Sequence, residues 1–150
     1  MDTIFKKMNF KDSATVVVIN APASFESNIE RMKEWAIFYR NLSLVENTNF
    51  IIAFCTMQHE VDAVAVEAAT KLVGDGLLWF AYPKGTSKKF ACDFNRDTGW
   101  ETLGQLGFEP VRAVAIDNDW SALRFRRVEF IKKMTRSFAM TEVGKEKIGK

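Results

Sequence analysis

Hydrophobic positions change period several times along the chain, and each change predicts an element. Ala14 to Ile19 is a short apolar run rich in valine, bounded by Asp12-Ser13 and Asn20-Ala21-Pro22, the pattern of a strand buried on both faces. From Ser24 the period becomes helical. Phe25, Ile29, Met32, Ala36 and Tyr39 fall on one side and Glu30, Lys33, Glu34 and Arg40 on the other, which predicts an amphipathic helix capped by Ser24. Phe50 to Cys55 is a second apolar run and a second strand. Val61, Val64, Ala65, Ala68 and Leu72 then share a helical face, and Gly74 stands where a left-handed C-terminal cap is expected. Leu77 to Tyr82 is a third strand, stopped by Pro83, which has no amide for a ladder. Beyond the lysine-rich stretch Lys84 to Asn95, Thr98 and Glu101 have capping-box spacing ahead of a short helix carrying Trp100, Leu103 and Leu106. Val111 to Ile116 and Ala122 to Phe125 are two last strands joined by the turn-forming run Asp117 to Ser121.

Strands alternating with single helices imply right-handed crossovers and a parallel sheet. The last two strands are too close in sequence for a crossover, so they pair as a hairpin with one of them antiparallel to the rest. The expectation from the residues alone is an α/β sheet, mostly parallel, with helices on both faces and one strand of the final hairpin antiparallel. Residues 1–128 read as one domain and 129–150 as a basic, weakly ordered tail. Strand one would be an open edge whose unpaired backbone groups invite a partner or a second copy.

Composition narrows the function more than it directs it. Apolar residues make up 47% of the chain, with 13 Phe and 4 Trp, too hydrophobic for a disordered protein. The net charge of +2 creates no global field that would select nucleic acid or an anionic membrane. The tail carries Lys132, Lys133, Arg136, Lys145, Lys147 and Lys150, but Glu129, Glu142 and Glu146 dilute them, which favours a solvated tail over a nucleic-acid surface. Cys55 and Cys92 have no companions at metal-ligand spacing, so neither a disulfide framework nor a metal site is expected. Neither a secretory signal nor a membrane span is legible, and the chain reads as cytoplasmic.

In open α/β sheets ligands bind beyond the carboxyl ends of the parallel strands. That rule delivers Asn20, Thr56, Gln58, Lys84, Thr86, Ser87, Asp117, Asp119 and Trp120. Lys84-Gly85-Thr86-Ser87 offers a cation and two hydroxyls to a phosphate or carboxylate, against the plainer reading of a solvated loop; its glycine spacing is not that of a P-loop. Asp117 and Asp119 could act as paired carboxylates, yet a tight turn selects the same residues for its own hydrogen bonds. Trp120 could stack on a ligand or plug the core. His59 is the only histidine and, with no nucleophile motif near it, belongs at the polar start of the second helix.

The pattern Gly74 to Phe80, a helix end running into a buried strand and followed by a helix and a hairpin, resembles the second half of a class I methyltransferase fold, and the resemblance implies a three-layer Rossmann-like sheet of five strands in the order 1-2-3-5-4, with strand five antiparallel between three and four. Leu78 to Lys84, Asn95-Arg96-Asp97 with Trp100, and Ala115-Ile116-Asp117 with Trp120 to Phe125 resemble a family of short bacterial domains of unknown function, over residues 14 to 128. The second resemblance implies no activity. The first implies S-adenosylmethionine held on a glycine-rich turn after strand one, with its ribose bound by an acid after the next strand. Here strand one runs into Asn20-Ala21-Pro22-Ala23 without a glycine, and the single helix before strand two leaves no ribose-binding strand. The sequence therefore argues against S-adenosylmethionine. It favours a non-catalytic domain that binds a small anionic ligand or a protein partner. The alternatives are a small enzyme acting on an anionic substrate at the Lys84/Asp117 edge and a divergent methyltransferase.

Overall fold

The computed structural model describes residues 1–131; the basic part of the expected tail lies outside the described residues. In chain order the elements are α1 (Thr3–Lys7), β1 (Thr15–Ile19), α2 (Glu26–Glu30), β2 (Ile37–Tyr39), β3 (Thr48–Phe54), α3 (Gln58–Lys71), β4 (Leu72–Pro83), α4 (Glu101–Gln105), β5 (Phe108–Ala115) and β6 (Trp120–Arg127). They build one mixed sheet in the order β2-β1-β3-β4-β6-β5. β2, β1, β3 and β4 run parallel, and β6 lies antiparallel between β4 and β5. The five strands expected from the sequence keep their predicted order, and the fold is the expected methyltransferase-like α/β sandwich. The sixth strand, β2, is the difference.

β2 lies where the sequence pattern points to the end of a long helix. The helical spacing of Phe25, Ile29 and Met32 holds only through a 3-10 turn at Ala23–Phe25 and the five-residue α2, a length that is marginal without tertiary support. Ile37-Phe38-Tyr39 is β-branched and aromatic, and it gains a ladder instead: the Ile37 N–H donates to the Ala14 carbonyl at 2.9 Å, and Val17 stands opposite Tyr39. Pro22, not Ser24, occupies the cap position, without a side-chain bond. β1 is consequently interior, and the open parallel edge belongs to β2.

Two smaller expectations also shift. α4 starts at Glu101 with Trp100 ahead of it, and the expected capping box does not form. The Asn95 side chain takes the Asp97 and Thr98 N–H groups at 2.8 and 3.1 Å instead, making a local turn. Gly74 does adopt positive φ (50°), but it does so inside β4, next to the register shift against β3, rather than as a helix cap.

Alternation along the central strands fixes two cores. Ile51, Ala53, Leu78, Phe80, Leu123 and Phe125 face α3 and α4. Phe50, Ile52, Phe54, Trp79, Ala81 and Ala122 face the other way, against α2 and an N-terminal segment whose structure the sequence pattern did not reveal. Asp2 starts that segment. Its carboxylate accepts the Ile4 and Phe5 N–H groups at 3.1 Å, capping α1, and also accepts Arg31 Nε at 2.8 Å. Phe5, Met8 and Phe10 then cover the sheet, and Trp79 Nε1 donates to the Met8 carbonyl at 3.1 Å. Trp79→Phe keeps an apolar ring but strands that carbonyl; chemical denaturation should show a loss of about 1–3 kcal/mol, against about 3–5 kcal/mol for Phe80→Ala.

Candidate ligand-binding edge

β1 delivers Asn20 to the carboxyl edge of the sheet. Asn20 sits in the left-handed region (φ 57°), which glycine enters freely and asparagine tolerates better than most residues. The chain thus makes a glycine-type turn without a glycine and enters the helical segment that begins at Ala23. Beside it β2 ends at Tyr39, and Arg40 follows. The Arg40 guanidinium grips Glu26 of α2 in a fork, Nη1 to Oε2 and Nη2 to Oε1, both at 2.7 Å. This hydrogen bond holds the Glu26 carboxyl below its ordinary pKa and lifts that of Arg40. Each carboxylate oxygen spends one lone pair on Arg40 and keeps another.

At the end of β3 the chain covers itself. Glu60 Oε1 accepts the Thr56 and Met57 N–H groups at 2.9 and 3.0 Å, while the Gln58 N–H donates to Asp93 Oδ1 at 2.7 Å. Gln58 Nε2 reaches the Gly99 carbonyl at 2.6 Å. The loop from Lys84 to Trp100 is thereby drawn over β3 and caps α3. Gly99 has φ +94°, and a Cβ there would strike Phe94 and the Gln58 side chain. Below the loop, burial pushes the Cys55 thiol up to about 12 and raises that of Cys92, so neither is a thiolate nucleophile near neutral pH.

β4 brings in the remaining candidates. The Lys84 N–H donates to the Asp119 carbonyl at 2.8 Å, and Ser87 Oγ donates to Asp119 Oδ1 at 2.9 Å. Asp117 Oδ1 accepts the N–H groups of Asp119 and Trp120 at 2.8 and 2.9 Å, which is the turn role. Trp120 is not in the turn: it opens β6 opposite Pro83 and packs against Phe54 and Phe90, with centroids at 5.2 and 5.0 Å. It is a core plug, 3% exposed, and its indole N–H has no partner among the described residues. Lys84 forms no ion pair among the described residues, so no bridge to Asp117 or Asp119 competes for it, and Thr86 is exposed. Lys84, Ser87, Asp117 and Asp119 are gathered at one place; Asn20 lies two strands away across β3, roughly 10 Å at the usual strand spacing. His59 is exposed in the first turn of α3, as its position suggested.

Sequence reasoning missed Arg40 and Glu26. Arg40 was assigned to the polar side of a helix, and the available signal was the Ile-Phe-Tyr triplet directly before it. Among the described residues no cluster of His, Cys, Asp or Glu is arranged to hold a metal ion, and no helix is long and apolar enough to cross a membrane.

No protein-family model matches the chain, and no curated protein matches it in sequence. Solved structures do. A SAM-dependent methyltransferase from Aquifex aeolicus superposes with a TM-score of 0.58 at 11% identity, over 83% of this chain and 88% of that one. The N-methyltransferase NodS from Bradyrhizobium japonicum gives 0.53 at 14% identity, over 84% and 93%. The same enzyme in complex with S-adenosyl-L-homocysteine gives 0.53 at 12% identity, over 84% and 85%. At these identities the likeness is one of fold.

The expectation set against S-adenosylmethionine is corrected by these findings. It rested on a missing strand and a missing glycine turn. The strand is present as β2, the turn is made by Asn20, and the fold is one whose solved members include a chain holding S-adenosylhomocysteine.

The Glu26–Arg40 pair can be tested directly. Both side chains are about half exposed, at 48% and 50%, so water screens the pair and Arg40→Ala should cost less than about 1 kcal/mol. A carboxyl whose folded pKa is depressed stabilises the fold above its ordinary value of 4.5, and that contribution disappears as pH falls through the folded pKa. NMR titration of the Glu26 carboxyl should move toward the ordinary value in Arg40→Ala, and the stability difference between variant and parent should vanish in acid.

Proposed function

We propose that this chain binds S-adenosylmethionine across the carboxyl ends of β1, β2 and β3, as a divergent protein of the class I methyltransferase fold. The observation that carries the reading is the pairing of β2 with β1, which sets the Arg40–Glu26 pair beside the Asn20 turn. Glu26 takes the ribose-binding role through its unused lone pairs. Arg40 fixes its orientation, standing where the fold's usual acid would be. The turn from Asn20 to Ser24 offers backbone N–H groups, apart from Pro22, to the polar end of the ligand. When bound, the sulfonium supplies an electrophilic methyl group. The chain's contribution is placement, because a methyl acceptor aligned with its target gains most of its rate from orientation. Lys84, with a free ammonium on the same edge, favours an anionic acceptor.

A second reading, binding without transfer, draws on a different observation. The loop from Lys84 to Trp100 is tied down over β3 by Asp93 and Gly99, on the side from which an acceptor would come. One experiment separates the two. S-adenosylmethionine or S-adenosylhomocysteine at a hundred times its dissociation constant should add about 2.7 kcal/mol, roughly 5–10 °C in melting temperature for a chain of this size. Glu26→Gln should weaken that effect about tenfold while leaving the ligand-free melting temperature nearly unchanged. Incubation with labelled donor and cell extract then reports transfer. Binding with no labelled product selects the second reading, and no stabilisation by either ligand at millimolar concentration overturns both.

A further inference from the structure

The opposite edge of the sheet holds a separate basin of about 600 Å³, where β1, β3 and β4 begin and β6 ends. Its floor is basic. Arg124 and Arg126 are two residues apart on β6 and so share a face of the sheet, and Arg112 of β5 is paired with Arg124 across the ladder. The nearest carboxylate among the lining residues is Asp75 of β4, and it is already engaged: Arg126 holds it in a fork through Nε at 2.8 Å and Nη2 at 2.7 Å. Arg124 reaches the same carboxylate only through Nη2, at 3.7 Å. Its side chain is 13% exposed, and its Nε is buried with no hydrogen-bond partner among the described residues.

Burial of Arg124 lowers its pKa, with Asp75 opposing and Arg126 and Arg112 reinforcing the shift. Even so, a guanidinium stays protonated at any physiological pH. The site therefore holds a mostly buried guanidinium that has no carboxylate within hydrogen-bond distance among the described residues, and its Nη groups, unlike Nε, can be reached by acceptor oxygens from the basin. Lys11 and Asp12 are both exposed on the rim and offset each other. Glu109 stands opposite Arg126 in the β5–β6 ladder, so the charge left without a close carboxylate is that of Arg124.

We infer that this basin binds a phosphoryl group, free or carried on a small ester, seated against the Nη groups of Arg124 with Arg126 beside it. A guanidinium fork matches the spacing of phosphoryl oxygens. The volume falls within the range of small-molecule sites, large enough for the organic part of a phosphomonoester to lie along Gly74 to Leu77. The site shares no residue with the carboxyl edge and does not depend on the function proposed there.

Calorimetric and NMR titrations with inorganic phosphate, ribose 5-phosphate and ribose test the inference on the full chain. Saturable binding of the phosphorylated probes but not of ribose is expected, with amide shifts concentrated at Asn49 and Gly74 to Leu77. Tighter binding of the ester identifies a phosphomonoester as the natural class, and equal affinity identifies free phosphate. Arg124→Lys keeps the charge but loses the fork, and should cut affinity about tenfold or more with an unchanged melting profile. Arg126→Gln, a second variant, should weaken binding in the same direction, whereas Lys84→Ala at the far edge should leave it intact. The inference is overturned by the absence of saturable binding to either phosphorylated probe, or by both arginine variants, shown folded by circular dichroism, binding as the parent does.

Discussion

β3 and β4 are buried on both faces, and the position of everything at the sheet's two edges depends on that. Phe50, Ile51, Ile52 and Ala53 in one strand and Leu78, Trp79, Phe80 and Ala81 in the other are all fully buried, so no register shift by one residue is neutral: it would exchange the two cores. Because neither face of this pair tolerates water, each must be covered by chain from outside the sheet. α3 and α4 meet the demand on one side. On the other, the short α2 is insufficient alone, and residues 2–10 complete the cover.

The two edges are finished differently. At the carboxyl edge, most polar groups find a partner within the loops: Glu26 has Arg40, Asp119 has Ser87, Asp117 has the turn that follows it, and Gln58 has Asp93 and Gly99. Such an edge is preorganised, its polar groups already held in place. At the amino edge the chain brings Arg112, Arg124 and Arg126 together on neighbouring strands, and Asp75 makes its close contacts with Arg126 rather than Arg124. Hydrophobic burial fixes the strands that carry these groups, so the electrostatics is imposed on side chains that cannot drift apart.

Much of the fold was legible because its signals were local. Continuous apolar runs marked β1, β3 and the core of β4, and the tight Asp117 turn announced the hairpin, while the order of those strands came from the resemblance of that hairpin to the methyltransferase fold. What failed was whatever a partner far along the sequence decides. Ile37-Phe38-Tyr39 fits a helical pattern through Tyr39 as well as it fits a strand, and only the proximity of β1 chooses. Thr3 to Lys7 is too short to show a period, and its identity depends on Asp2 finding Arg31. The carboxyl edge divided the same way. Lys84, Ser87 and Asp119 were found together because each follows or precedes a recognisable strand, while Glu26 and Arg40 were invisible as a pair because their strand was.

The bond between Trp79 and the Met8 carbonyl has a consequence in time rather than in space. It joins residues 71 positions apart, and the ring contacts of Phe5 with Phe50 belong to the same closure. A ribosome adding about 5–20 residues per second needs roughly 4–14 s to deliver Trp79 after Met8. Through that interval Phe5, Met8 and Phe10 have no β4 to settle on. The segment is thus made well before the strand on which it packs, and it is among the last to find its place.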